Sequence, residues 1–172
     1  RAGSRYYMAV EPEFYRNFQA GGAITASTPA NRFTSGRYTP DFTGKVTSFM
    51  INPFVKFKGL EFFGTYETSS GKTNAETELR SFSQLAGEVV FRFLPREQAF
   101  IAARYNKVSG TAPAPNAEVS IDRIQVAAGW YTTRNMMLKL EYVNQNFNDF
   151  VTADFRHGAR FSGVMVEAAI AF

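Results

Sequence analysis

One histidine and no cysteine in 172 residues narrow the available chemistry at the outset. Nucleophilic hydrolysis needs a histidine held between a nucleophile and an acidic partner. His157 stands alone in Arg156-His157-Gly158, and no Gly-x-Ser-x-Gly elbow occurs. No catalytic residue is therefore assigned, the chain does not read as an enzyme, and His157 reads as a solvated loop residue. One imidazole and no thiol leave only carboxylates as metal ligands, so neither metal nor cofactor is expected. Gly21-Gly22 lies inside an alternating stretch rather than in a phosphate-binding loop. A net charge of +4 with no basic run gives no nucleic-acid partner. What remains is a set of charged and amide side chains that share one parity within alternating segments. They are Lys56, Glu61, Glu67, Gln84, Glu88, Arg92, Arg104, Asn106, Arg123, Gln125, Lys139, Glu141, Gln145 and Glu167. Gathered on one face, such side chains build either an ion-pair network or the wall of a wet passage.

The elements that would position them are strands. No uninterrupted apolar run approaches the roughly 18 residues of a membrane-spanning helix. Aromatic residues are abundant at 16%, with 18 Phe and 8 Tyr beside 13 Gly. A period of two marks strands over 4–10, 17–26, 46–57, 60–67, 82–93, 98–107, 121–132, 136–142 and 160–172. Pro53 lacks a ladder donor and predicts a bulge or gap. Lys58-Gly59 reads as a tight turn in which Gly takes positive φ. Pro95-Arg96-Glu97 and Thr133-Arg134-Asn135 supply two more turns. Polar segments at 27–44, 68–80, 108–118 and 144–158 read as long loops, the first carrying Phe33, Tyr38 and Phe42. Turn geometry opposes Lys56 to Glu61 and Glu88 to Arg104.

The closing strand is the clearest. Phe172, Ile170, Ala168, Val166 and Val164 alternate with Ala171, Ala169, Glu167, Met165 and Gly163. Hairpins recur about every 38 residues, each with a short turn and then a long loop. Tyr66, Tyr105 and Tyr142 end the rising strands on the apolar parity, while Phe57, Phe93, Trp130 and Phe172 lie near the short turns. Two aromatic levels with aliphatic and small residues between them read as the two interfacial girdles of a bilayer-spanning barrel. A sandwich core would place its large residues in mid-strand.

In these features the sequence resembles the outer-membrane β-barrel class, whose closing strand ends on a Phe that the barrel assembly machinery recognises. The resemblance implies an all-β, transmembrane, antiparallel up-and-down β-barrel in contact with outer-membrane lipid. It places the chain in a bacterial outer membrane, with short turns and C-terminus periplasmic and long loops extracellular. A count of nine strands starts the chain outside, whereas single-chain bacterial barrels have an even count and a periplasmic N-terminus. Either 1–13 is not a barrel strand and the rest forms an eight-stranded barrel, or residues 1–172 are the C-terminal part of a larger one. The second is the expectation, because the chain begins almost directly in strand.

The hairpins Phe91 to Lys107 (FRFLPREQAFIAARYNK) and Val126 to Tyr142 (VAAGWYTTRNMMLKLEY), followed by the closing strand, resemble the later hairpins of phosphate-selective porins of the O/P type. That family forms wide channels of about sixteen strands, typically trimeric, with a Lys- and Arg-rich constriction that passes anions. The resemblance implies a porin-like channel for passive diffusion of small hydrophilic solutes or ions, as a homotrimer or with an accessory protein. The readable lumen is balanced in sign, which does not match anion selectivity. Its pore-lining set is Lys56, Glu61, Glu67, Glu88, Arg92, Arg104, Arg123, Gln125, Lys139, Glu141 and Glu167. The alternative is a non-conducting barrel that serves as an anchor or binds partners through its extracellular loops.

The closing strand generates the first prediction. Phe172→Ser is expected to reduce assembly into the outer membrane more than it weakens a folded barrel, because one interfacial side chain contributes little to stability. Wild-type assembly of that variant in cells would contradict the reading.

Overall fold

The structure, a computed structural model, describes residues 38, 40–113 and 115–170. The strands expected over 4–10 and 17–26, and the residues Arg1, Phe33 and Phe172, lie outside the described residues.

The described chain is all-β, a single antiparallel up-and-down sheet of eight strands. β1 (Lys45–Ile51) and β2 (Phe54–Phe57) both pair with β3 (Leu60–Lys72) and form one interrupted line. The interruption falls at Asn52-Pro53, where proline gives no N–H to the ladder. The Pro53 carbonyl still accepts the Gly64 N–H at 2.8 Å, which keeps the two halves against β3. Then follow β4 (Arg80–Phe93), β5 (Ala99–Thr111), β6 (Glu118–Thr133), β7 (Met136–Asn148) and β8 (Arg160–Ile170). Each lies antiparallel to the one before it in the chain. Among the described residues no pairing joins β1 or β2 to β8, so the sheet is not closed there.

Tight connections sit at one end, at 58–59, 94–98 and 134–135, and longer ones at the other, at 73–79, 112–117 and 149–159. In the first turn the positive φ belongs to Lys58 (51°) and not to Gly59. Gly59 is needed for a different reason: a Cβ there would collide with the Arg92 carbonyl, because β4 passes close by. The Arg92 N–H donates to the Gly59 carbonyl at 2.7 Å in that approach.

Strands at the long-loop end run further than their composition predicts. β3 continues through Ser69-Ser70-Gly71, β4 starts at Arg80, β5 reaches Thr111 and β7 reaches Asn148. These serines, asparagines and glycines read as loop because strand propensity disfavours most of them. Pairing overrides it, with Ser70↔Ser81 and Ser109↔Ser120 in register.

Burial is inverted relative to a soluble sheet. Leu85, Val89, Ile101, Ile124, Val126, Leu140 and Val164 are exposed on one face, and Val166 reaches 74%. Gln84, Asn106, Arg123, Gln125, Glu141 and Gln145 are buried on the other, Gln145 completely. Side chains on the inner side of a curled strand array converge, and those outside splay apart. Replacing Ile101, Val126 or Leu140 by Arg is expected to destabilise the protein in lipid vesicles by roughly 2–4 kcal/mol. Arg at the inner-face Gln125 should cost much less, since it can reach the Glu141 carboxylate that Gln125 already contacts. Equal penalties at 125 and 126 in vesicle unfolding would count against lipid contact on the apolar face.

Candidate functional site: a charge-paired wall

Strand register puts Phe57, Tyr66, Phe93, Tyr105, Trp130 and Tyr142 on the apolar face. All six are exposed, Phe57 at 68% and Trp130 at 55%. At the margin of the band the Tyr105 hydroxyl donates to Asp122 Oδ1 at 2.6 Å.

The opposite face carries all eleven residues of the expected pore-lining set, and the ladder joins most of them. Lys56 lies opposite Glu61 and pairs with it at 2.9 Å. Arg92 reaches the same carboxylate through two donors, at 2.8 and 3.3 Å. Arg104 and Glu88 stand in register, with a looser contact of 3.7 Å. Lys139 lies between Glu141 (3.1 Å) and Glu167 (2.9 Å), and Gln125 donates to Glu141 at 2.7 Å. Arg123 donates to Gln145 at 3.2 Å. Glu67 stands apart from these pairs and accepts from the Ser48 hydroxyl at 2.8 Å. Glu97, which sequence placed only in a turn, also binds Lys56 at 2.9 Å. That pair braces a turn in which Leu94, Arg96 and Glu97 all take positive φ.

Between these pairs the wall is hollowed. Val90, Ala102 and Ala127 form one row across β4, β5 and β6. The rows on either side carry Glu88, Arg104 and Gln125, and then Arg92, Phe100 and Lys139. Short side chains between long ones leave a cavity of about 310 Å³. Phe100 covers Gly129, where a Cβ would collide with its ring. Arg92 stands 5.4 Å from that ring centre and 6.0 Å from Tyr131.

At the long-loop end the same face becomes apolar. Phe82, Val108, Val119, Ile121 and Phe147 project from the strand extensions, and Tyr38, Phe42 and Phe150 cover them. Tyr38 packs 5.0 Å from Phe82 and 6.1 Å from Phe150. Arg80 ties this cover to the wall by donating to the carbonyls of Pro40 (2.8 Å) and Thr111 (3.0 Å) and to Glu76 (2.7 Å). Arg156 lies over Tyr38 at 5.2 Å and Phe150 at 4.7 Å, and pairs with Asp154 at 2.7 Å. His157 is an exposed loop residue, as expected, and its Nδ1 also contacts the Phe150 carbonyl at 2.6 Å. Burial pushes the Tyr38 hydroxyl up to about 12. Hydrogen bonds from Arg80 hold Glu76 below the usual carboxylate range, and Arg156 does the same for Asp154.

The sequence marks Phe33, Tyr38 and Phe42 as the aromatic residues of the first long loop, and does not single out Phe82, Val108, Ile121 and Phe147 as the counterpart of Tyr38 and Phe42. For Phe82 and Ile121 the signal was present, since strand parity puts both opposite the apolar band; Val108 and Phe147 lie in strand extensions that read as loop. No family model, curated protein or solved structure matches this chain.

Two predictions concern the loop-end cluster. A Cβ on Gly110 would sit 2.6 Å from the Phe82 ring and collide with the Ser81 carbonyl. Gly110→Val is therefore expected to cost about 1–3 kcal/mol, and Phe82→Ala about 3–5 kcal/mol. Both should hasten proteolytic cleavage within 40–44; unchanged cleavage would show that the cluster does not hold that segment. Glu76 and Asp154 have depressed folded pKa values, so their contribution is complete above the ordinary carboxylate range. It is lost as pH falls through the depressed values. Hydrogen exchange in 73–79 and 149–159 should stay slow at mildly acidic pH and rise only below that range. Glu76→Gln should remove most of the pH dependence in 73–79.

Proposed function

We propose that this chain forms part or all of a transmembrane β-barrel in a bacterial outer membrane. Its polar face lines a porin-like channel for passive diffusion of small hydrophilic solutes or ions. One observation carries the reading: a wide band of exposed Leu, Ile, Val and Phe on one face, against a wall of paired, mostly half-buried charges on the other. Monomeric soluble proteins rarely expose contiguous apolar patches beyond a few hundred Å². A second protein layer could cover this band, but the Tyr and Phe/Trp levels at its two ends match the two interfaces of a bilayer. The short turns and C-terminus then face the periplasm and the longer loops the exterior. Partners on this reading are outer-membrane lipid, the barrel assembly machinery and either two further copies or an accessory protein. In lipid, β1–β2 and β8 each require a further strand, because unpaired backbone groups there cost several kcal/mol each.

One observation favours a second reading, a non-conducting barrel that anchors or presents its loops. Tyr38, Phe42 and Phe150 fill the loop end of the polar face with aromatic rings. Planar-bilayer recording of the full chain separates the two. Discrete current steps are expected; a correctly folded, silent barrel would favour the anchor.

A further inference from the structure

The apolar band is uneven, and on the outer-membrane reading above, on which this inference rests, the unevenness faces lipid. Ile101, Ala128, Leu140 and Val166 form one outward row across β5 to β8. Ala103, Val126, Tyr142 and Val164 form the next. Ala128 is the short side chain between Ile101 and Leu140, and beside it opens a groove of about 320 Å³. Its walls include Val126, Leu140, Tyr142 and Val164. All of them are exposed, so a membrane component can enter without displacing protein.

Toward the long loops the same face turns polar. The row above Tyr142 holds Ile124, Asn144 and Ser162, and the row beyond it Lys107, Asp122, Asn146 and Arg160. Arg160 is exposed and bends back toward the groove: the Asn144 amide oxygen accepts from its Nη2 at 2.7 Å and its Nε at 3.2 Å. That contact occupies only part of the guanidinium's donor fork. No carboxylate among the described residues pairs with Arg160. Asp122, the carboxylate of its row, accepts instead from the Tyr105 hydroxyl at 2.6 Å and the Asn148 amide at 2.8 Å. Two cations against one carboxylate leave the row a positive charge.

An exposed arginine one row above an apolar groove, at the aromatic level of a lipid-facing sheet, matches a ligand with an anionic head and a hydrocarbon tail. Guanidinium forks suit phosphate, and basic clusters at a membrane interface recognise anionic headgroups. We propose that Arg160, with the Ser162 hydroxyl beside it, holds the phosphate of an anionic lipid in the leaflet at the long-loop end. One acyl chain of that lipid lies in the groove at Ala128. Asn144 orients the guanidinium for the phosphate.

Trp130, the single tryptophan, stands two residues beyond Ala128 on the same face and reports on chains in the groove. The full chain, folded in mixed micelles, is titrated with phosphatidylglycerol or phosphatidylcholine, each with brominated chains that quench tryptophan fluorescence. Phosphatidylglycerol is expected to reach half-quenching at a roughly fivefold lower mole fraction. Arg160→Gln should abolish that preference. Ala128→Leu, which fills the groove without touching a charge, should reduce it in the same direction. Lys107→Gln removes an equal charge about 14 Å away along the row and should leave most of it. Equal quenching by the two lipids would overturn the site and leave the membrane reading standing. An equal loss in Lys107→Gln and Arg160→Gln would also overturn it, because the attraction would then be general. Inorganic phosphate that erases the preference, where chloride at the same ionic strength does not, would point to a free-anion site and overturn the lipid. Quenching by neither lipid would remove the site together with the membrane reading.

Discussion

Sliding β4 by one residue along β3 would carry Glu88 and Arg92 to the face of Leu85, Val89 and Phe91, and bring those three onto the polar wall. Because side chains alternate with a period of two, no intermediate slip exists. The ladder register is therefore the constraint on which the rest depends. Two kinds of interaction hold it. Tight turns set it locally, as where the Arg92 N–H meets the Gly59 carbonyl. Cross-strand ion pairs then read it out at a distance, since Lys56, Glu61 and Arg92 meet only in this pairing. A slipped strand would leave those charges unpaired against apolar neighbours, which is far more costly than a lost surface pair.

The same face serves two interiors stacked along the strands. Near the tight turns and at mid-strand it is polar, and its long side chains satisfy one another across the ladder. Beyond the Tyr66, Tyr105 and Tyr142 level the strands continue, and their inner residues turn aromatic and aliphatic. Apolar side chains there need a cover, which Tyr38, Phe42 and Phe150 supply. Arg80 and Arg156 make that cover compatible with a polar neighbourhood. Each lays its guanidinium on a ring and sends its N–H groups to a carboxylate or a carbonyl. The strand extensions and the cover thus explain each other: neither buries its apolar surface alone.

How much of this was legible follows from where period-two patterning is clean. Between the aromatic levels the apolar parity stays apolar and the charged residues keep to the other parity, so the Lys56–Glu61 and Glu88–Arg104 neighbours followed from the turns alone. The expected break at Pro53 followed from its missing N–H. The strand ends did not, because Ser69, Ser70 and Ser109 have turn chemistry and only long-range pairing recruits them. Lys58 in place of Gly59 at positive φ was illegible for a similar reason. The glycine answers to β4, a strand some thirty residues away. The Arg80 bridge to Pro40 and Thr111 joins three segments remote in sequence, and no local pattern encodes it. The hollow over Ala102 and Ala127 needs the lateral alignment of three strands, which alternation within one strand does not specify.

Charge balance then bears on what the proposed channel could select. The wall residues Lys56, Arg92, Arg104, Arg123 and Lys139 are matched by Glu61, Glu67, Glu88, Glu141 and Glu167. Most of them stand in close contact with an opposite or polar partner, from 2.7 Å for Gln125–Glu141 to 3.7 Å for Arg104–Glu88. Two opposite charges so close act on a distant solute as a dipole, whose field falls off faster than that of a lone charge. Salt screens the remainder beyond about 8–10 Å. A solute in the middle of a wide lumen would feel little net potential from this wall, and discrimination by sign would be weak. The resemblance to phosphate-selective porins implies a Lys- and Arg-rich constriction, and the wall over the described residues does not supply one. Selection along it would instead act at contact range, through size.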